Sequence, residues 1–254
     1  MSQGLFTRQI VVVIPTYNEA GNIEKVLNGV RAALPQARLL VVDDDSPDGT
    51  GDIVERYQYS HQTDGLGEVS VLRRSAKTGL GAAYRAGFTT ALSMGAEICV
   101  QMDADLSHDP MYLPAIVSAV EMGADAALGS RYTPGGQIDN WPPLRRFLSR
   151  WGNGFAAGML GLAINDATSG YRAYSASVLQ KMDFSTVQAE GYGFQIEMTH
   201  RAVRSGARMI EVPILFTDRV VGESKLNHHI IGEAFTLVTQ LWFRDRLWHR
   251  RRRR

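Results

Sequence analysis

Short aliphatic runs alternate with stretches of helical spacing along the first half of the chain. Ile10 to Ile14 and Leu39 to Val42 have strand length, and between them Ile23, Val26, Leu27 and Val30 recur at the intervals of an amphipathic helix. The alternation continues through Val69 to Leu72, a helical pattern at Leu80, Tyr84, Phe88 and Leu92, and a strand from Ile98 into Asp103. Pro110 suits the first turn of a further helix, and Ala124 to Leu128 supplies the next strand. Runs of this kind belong to strands buried on both faces. The pattern therefore predicts an α/β fold, a mostly parallel sheet flanked by helices over roughly the first 130 residues. Thr133-Pro134-Gly135-Gly136 through Trp141-Pro142-Pro143 predicts a loop long enough to carry function.

A second apolar stripe lies near the carboxyl terminus, at Ile230, Ile231, Ala234, Phe235, Val238, Leu241 and Trp242. It is interrupted by Glu233 and falls short of the ~20 residues that span a bilayer, so no transmembrane span is expected. Stripes of this spacing are ordinarily core packing. Here the stripe runs into Arg244, Arg246, Trp248, His249 and five terminal arginines, Arg250 to Arg254, a pattern that suits a helix lying on an anionic leaflet. Each basic residue at such a surface contributes about 1 kcal/mol. A membrane-protein anchor is a second way to hold the chain there, and a cloning remnant or a nucleic-acid-attracting tail is the alternative reading of the arginines.

Composition narrows the class. With 254 residues and 44% hydrophobic content the chain can bury one full domain with a short appendage. The expected division is a catalytic domain over 1–226 and an amphipathic, basic, membrane-proximal segment over 227–254. A formal charge of +1 gives no general attraction to nucleic acid. The lone cysteine, Cys99, sits inside an apolar strand and cannot form an internal disulfide, which fits a reducing compartment. Met1 to Gln9 lacks the apolar region of a signal peptide. The expected location is cytoplasmic, peripheral on the cytoplasmic face of a membrane.

The chemistry concentrates where the strands end. Ile98 to Met102 delivers Asp103 and Asp105, one residue apart, to the carboxyl end of a strand, where ligands of open α/β sheets collect. Two such carboxylates suit Mg²⁺ or Mn²⁺, which leave coordination positions for water and substrate phosphate oxygens. A diphosphate substrate follows. Pro15-Thr16-Tyr17-Asn18-Glu19 ends the first strand with an aromatic face and a carboxylate where a base and ribose could rest. The second strand ends in Asp43-Asp44-Asp45-Ser46-Pro47-Asp48-Gly49-Thr50, whose three successive acids exceed what a helix cap needs. Lys77-Thr78-Gly79-Leu80-Gly81-Ala82 sets small residues and a cation before a helix, a weak phosphate-binding signal.

These motifs, together with Asp103-Ala104-Asp105-Leu106-Ser107-His108, Gly129-Ser130-Arg131-Tyr132 and Gly222-Glu223-Ser224-Lys225-Leu226, resemble the polyprenol- or dolichol-phosphate mannosyltransferases of glycosyltransferase family 2. The motifs occur in family order from Gln9 to Leu226. The resemblance implies a GT-A (Rossmann-like) fold that passes mannose from GDP-mannose to a polyprenyl (dolichyl-type) monophosphate. It implies that Pro15, Tyr17, Glu19, Val42 and Asp44 hold the guanosine. Asp103, Ala104 and Asp105 would meet diphosphate and metal, with Ser107 as a third metal candidate where some relatives have Gln. Arg131, Arg219 and Lys225 would line the donor side, while Arg145 and Ser149 would bind the acceptor phosphate. Asp105, Arg131 and Arg145 are the residues expected to carry the reaction.

A phosphomonoester has a second pKa near ~6, so a lipid phosphate needs positioning by cations more than it needs a base. The expected reaction is an in-line displacement with inversion, since a nucleophilic carboxylate would give retention through a covalent intermediate. Gly191-Tyr192-Gly193-Phe194-Gln195-Ile196-Glu197 is a candidate cover for the sugar, with Glu197 open between a catalytic task and a structural ion pair. Physics alone does not separate mannose from glucose. A UDP-glucose-dependent glucosyltransferase is therefore the alternative, with a sugar nucleotidyltransferase and a noncatalytic nucleotide-binding protein behind it.

Overall fold

The structure is a computed structural model that describes residues 6–218 and 228–252, with the side chains of 228–231, 233, 234 and 247–252 outside the description. Its chain order begins β1 (Ile10–Thr16), α1 (Ile23–Ala33), β2 (Arg38–Asp43), α2 (Thr50–Ser60), β3 (Val69–Arg73), α3 (Leu80–Ser93) and β4 (Ile98–Gln101). There follow α4 (Leu113–Glu121), β5 (Ala126–Ser130), β6 (Gln137–Ile138), α5 (Pro143–Leu160), β7 (Arg172–Ser175) and α6 (Ala176–Lys181). The described chain closes with α7 (Gly191–Arg204), β8 (Met209–Pro213), β9 (Leu215–Phe216) and α8 (His228–Arg252).

Seven strands form one sheet in the order β3-β2-β1-β4-β7-β5-β8, in which only β7 runs against its neighbours. The expected mostly parallel sheet is present. Successive side chains of β1 point to opposite faces, so Val12 and Ile14 enter one buried cluster with α1 and α4, while Val11 and Val13 enter another with α3 and α7. Both faces are dry, which is why these strands are apolar throughout. Gly87 lets α3 lie directly on the sheet, because a Cβ there would come within 2.3 Å of Val13 Cγ1. Within the expected loop, Gln137 and Ile138 pair in parallel with Leu215 and Phe216 as a second, two-stranded sheet. This pairing closes a contact about 80 residues apart in sequence, beyond the reach of any local pattern.

One edge of the sheet gathers the carboxyl ends of β1, β2, β4 and β5. Because β7 is antiparallel, its first residue arrives at that same edge, with Arg172 opposite Gln101 on one side and Leu128 on the other. The loop before β7 is therefore brought in beside the loop after β4. The carboxyl-terminal stripe does pack inward: Val238 and Leu241 of α8 are buried with Ala156 and Leu160 of α5 and Ile196 of α7. No helix among the described residues is long and apolar enough to cross a membrane.

Candidate active site

A cleft of about 1210 Å³ opens along this edge, and nearly all the sequence-predicted side chains within the described residues line it. Its successive stretches lie over β2 and β1, then β4, then β7 and β5, in the order of the sheet.

Over β1 and β2, Pro15, Tyr17, Glu19 and Asp44 form the wall. Lys77 Nζ lies 3.8 Å from the centroid of the Tyr17 ring, a cation–π contact that steadies the aromatic face. Thr50 Oγ1 accepts from the Glu19 backbone N–H at 3.0 Å, and Asn22 Nδ2 donates to the Glu19 carboxylate at 2.9 Å. The three successive aspartates separate once folded. Asp43 is a buried staple, accepting from Thr16 Oγ1 at 2.9 Å and from Ser46 Oγ at 2.6 Å. Asp44 faces the cleft and receives Arg74 Nη1 at 2.7 Å. Burial pushes the Asp44 carboxyl above the usual carboxylate range, with the Arg74 charge opposing. Asp45 is exposed, with a positive φ of 57°. Val42 differs from the expectation: its side chain is sealed in the core against Val13 and α3, so only its backbone can meet a ligand.

Over β4, Asp103, Ala104 and Asp105 all line the cleft. Tyr84 Oη, from α3, donates to Asp103 Oδ1 at 2.8 Å, and His108 Nδ1 accepts from the Asp103 backbone N–H at 3.2 Å. His108 is itself fixed by stacking on Tyr171, ring centroids 4.8 Å apart. Asp105 Oδ1 accepts from Ser107 Oγ at 2.6 Å and from the Ser107 N–H at 3.1 Å. Ser107 thus braces Asp105 with the hydroxyl that was a candidate metal ligand. Leu106, between them, has φ 63°, a left-handed conformation uncommon for a branched residue and costing of order 1 kcal/mol. Gly170 closes the frame, for a Cβ there would stand 3.1 Å from Asp103 Oδ2.

Among the described residues no group of three or more His, Cys, Asp or Glu could cage an ion. Two hard carboxylates side by side nevertheless fit Mg²⁺ or Mn²⁺, whose shell is commonly completed by water and substrate phosphate. The donor set matches a cation shared with a diphosphate.

Over β5, Arg131 is gripped by Asp166, which accepts from Nε at 2.7 Å, from Nη2 at 2.7 Å and from the Arg131 backbone N–H at 3.0 Å. Burial alone would raise the Asp166 carboxyl, but the Arg131 charge and hydrogen bonds outweigh it and hold it below the usual range. Arg145, on the first turns of α5, stacks on Trp141 with its guanidinium 3.9 Å from the ring centroid and donates to Asp218 Oδ2 at 2.7 Å. Trp141 packs edge-on against Phe216, and the Arg131 guanidinium lies within 5.6 Å of both rings. Ser149 follows Arg145 by one turn but is not a wall residue, because its hydroxyl accepts from Tyr132 Oη at 2.7 Å.

Other expectations resolve differently. The amino terminus of α3, the weak phosphate signal, already holds an internal anion: Glu190 Oε2 accepts from the Gly81 N–H at 2.6 Å. Gly79, at φ 112°, makes room for that carboxylate. Glu197 is an ion-pair partner, receiving Arg201 Nε at 2.9 Å and Nη2 at 2.7 Å. Arg219 and Lys225 lie outside the described residues. Sequence reasoning misses Tyr84, Asp166 and Gly170 as site residues and reads Trp141 only as part of a functional loop. Tyr84 reads only as a core position of a helix, and Asp166 meets Arg131 from 35 residues away.

The model of the family "Glycosyl transferase family 2" matches residues 11–183. The chain is 46% identical over 241 residues to a polyprenol monophosphomannose synthase of Mycolicibacterium smegmatis, covering 95% of this chain and 89% of that one. It is 45% identical over 232 residues to an undecaprenyl-phosphate mannosyltransferase of Micrococcus luteus, covering 91% and 93%. Among solved structures, the fold matches glucosyl-3-phosphoglycerate synthase from Mycobacterium tuberculosis in complex with Mn²⁺, UDP-glucose and glycerol 3-phosphate. That match has a TM-score of 0.65 at 19% identity and covers 92% of this chain and 80% of the other. With a GT-A-like sheet, a cleft at its carboxyl edge and a match over most of its length, this chain belongs to glycosyltransferase family 2.

Proposed function

We propose that this enzyme transfers mannose from GDP-mannose to a polyprenyl monophosphate, with inversion at the anomeric carbon, releasing GDP. The observation that carries this reading is the order of chemistry along one cleft: an aromatic and acidic end, an acidic pair, then two arginines. The cleft is larger than the ~300–1,000 Å³ of an ordinary ligand pocket, which leaves room for a sugar nucleotide and a second head group. Relatives named for mannosyl transfer to polyprenyl phosphates, matching over nine-tenths of the chain, support the choice of sugar and acceptor.

In this reading Pro15, Tyr17, Glu19 and Asp44, with the backbone of Val42, hold the guanosine. Asp103, Ala104 and Asp105 meet the diphosphate. When bound by Asp103 and Asp105, Mg²⁺ or Mn²⁺ supplies positive charge to the departing diphosphate. Arg145 orients the acceptor phosphate, whose oxygen attacks the anomeric carbon as the bond to GDP breaks and its electron pair leaves with GDP. Arg131, held in one orientation by its ion pair with Asp166, lines the donor side of the cleft as a preorganised hydrogen-bond donor.

The same reading places the enzyme peripherally on the cytoplasmic face of a membrane. On α5, Leu144, Phe147, Leu148 and Trp151 are 69%, 65%, 39% and 54% exposed and share one helical face. Trp151 stacks on Phe155, and Phe155 on the half-exposed Phe235 of α8 at 5.0 Å between centroids. Exposed Arg146 and Arg150 accompany this stripe, a composition suited to an anionic interface. Because Arg145 belongs to the same helix, seating this face in lipid brings the cleft to headgroup level.

The test is incubation with labelled GDP-mannose or UDP-glucose, a polyprenyl phosphate and either metal. A mild-acid-labile mannolipid of inverted configuration is expected, and Asp105→Asn should abolish it. Transfer from UDP-glucose alone, product of retained configuration, or undiminished turnover by Asp105→Asn would each overturn the part it addresses.

A further inference from the structure

We infer that Gln195 is a sugar-recognition residue, contacting a hydroxyl of the hexosyl group while the nucleotide is held elsewhere. Gln195 is on the second turn of α7, lines the cleft and is only 3% exposed. Its side-chain Oε1 is sealed from solvent and has no hydrogen-bond partner among the described residues. Buried polar side chains nearly always have a partner, so an orphan in the wall of a binding cleft marks a place where a ligand group or an ordered water completes the set. A carboxamide offers both donors and an acceptor, so either orientation of the amide suits a hydroxyl.

Its position selects which part of the donor it meets. Arg172, at the start of β7, donates through Nη1 to the Gln195 carbonyl at 3.2 Å and through Nε to the Ser169 carbonyl at 2.6 Å. Gly170, next in the chain, lies against Asp103 Oδ2. Gln195 is thereby tied to the loop that borders the acidic pair on its β7 side. In sheet order the nucleoside wall is over β2 and β1, the diphosphate acids follow β4, and the arginines lie beyond β7, at β5 and α5. A donor laid along that edge puts its hexose between the acids and the arginines, which is the stretch over β7 where Gln195 stands. The packing around it is firm, since Phe194 stacks on Tyr84 and Ile196 is buried against α5 and α8.

This assignment rests on the reading of the cleft as a sugar-nucleotide site. The experiment compares wild type, Gln195→Leu and Gln195→Met in equilibrium titrations with GDP and with GDP-mannose, each with Mn²⁺, and repeats the pair with UDP and UDP-glucose. Loss of one hydrogen bond to a neutral hydroxyl weakens binding by about 3- to 10-fold. Gln195→Leu should therefore bind GDP within about twofold of wild type and GDP-mannose about 3- to 10-fold more weakly. Equal loss for both ligands, or no loss for either, overturns the role of Gln195. Should Gln195→Leu unfold, the same comparison with Gln195→Met decides it, because that change keeps the length of the side chain and removes both its donor and its acceptor. If wild type binds UDP-glucose and not GDP-mannose, the donor assignment falls while the difference between UDP and UDP-glucose still tests Gln195. Wild type that binds neither sugar nucleotide overturns both.

Discussion

Tyr84 is buried in the cluster that packs α3 on the sheet, and its hydroxyl reaches Asp103 at the cleft. Burial raises this phenol well above its usual value, and the Asp103 charge raises it further, so it remains a protonated donor at any working pH. Its bond to Oδ1 orients the carboxylate without neutralising it. Removing a side chain that hydrogen-bonds a metal-binding carboxylate typically lowers metal affinity by ~10- to 100-fold. Tyr84→Phe is expected to weaken Mn²⁺-dependent binding of GDP by at least about tenfold while leaving metal-free GDP binding unchanged. Calorimetric titrations with and without the metal make that comparison, and equal affinities in the two proteins would reduce Tyr84 to a packing residue. At this scale the sequence exposes Asp103 and Asp105 because their pairing is local. It hides Tyr84, whose apolar ring satisfies the helix pattern and masks the hydroxyl.

Among the elements, α5 is read least well from sequence, because its amphipathic pattern says that one face is apolar but not which face the protein covers. In the structure Ala156 and Leu160 turn inward, whereas Leu144, Phe147 and Trp151 on its earlier turns are left to solvent. α8 shows the converse, since the stripe expected to face lipid is used in part against α5 and α7. Burying a large apolar side chain contributes roughly 1.5–3 kcal/mol, so three exposed ones can hold a protein on a bilayer where one cannot. The triple change Leu144→Ser, Phe147→Ser and Trp151→Ser should lower co-sedimentation with anionic vesicles by at least about tenfold in roughly 0.5 M salt, where charge attraction is screened. Activity on a short, water-soluble polyprenyl phosphate should persist. Undiminished vesicle binding would assign the membrane contact to another surface, with the arginines at 250–254 the next to delete.

For the molecule as a whole, α8 is fastened to α7 through a titratable contact. His200, 3% exposed, shares Asp245 Oδ2 at 2.9 Å with Arg204 Nε, also at 2.9 Å. Burial lowers the His200 pKa, with Asp245 opposing, so the folded protein keeps the ring neutral where the unfolded chain takes a proton. The stability this gives is complete above the unfolded value of about 6.5 and is lost as pH falls from there through the folded pKa. The denaturation midpoint should therefore fall as the pH is lowered through about 6.5, and His200→Gln should flatten that step; a parallel fall in the variant would trace it to other groups. Asp166, depressed by Arg131, adds a separate loss only as pH drops below the ordinary carboxylate range of about 4. By itself the sequence determined the alternation of buried strands and helices, the acids at the strand ends and the family, because each is written in local spacing or in motif order. Tertiary structure alone decided that β7 runs antiparallel and brings Gly170 against Asp103, that Asp166 locks Arg131, that Val42 and Ser149 turn from the cleft, and that Gln195 lines it. Those outcomes depend on contacts between segments tens of residues apart, whose register is set by closure of the whole core.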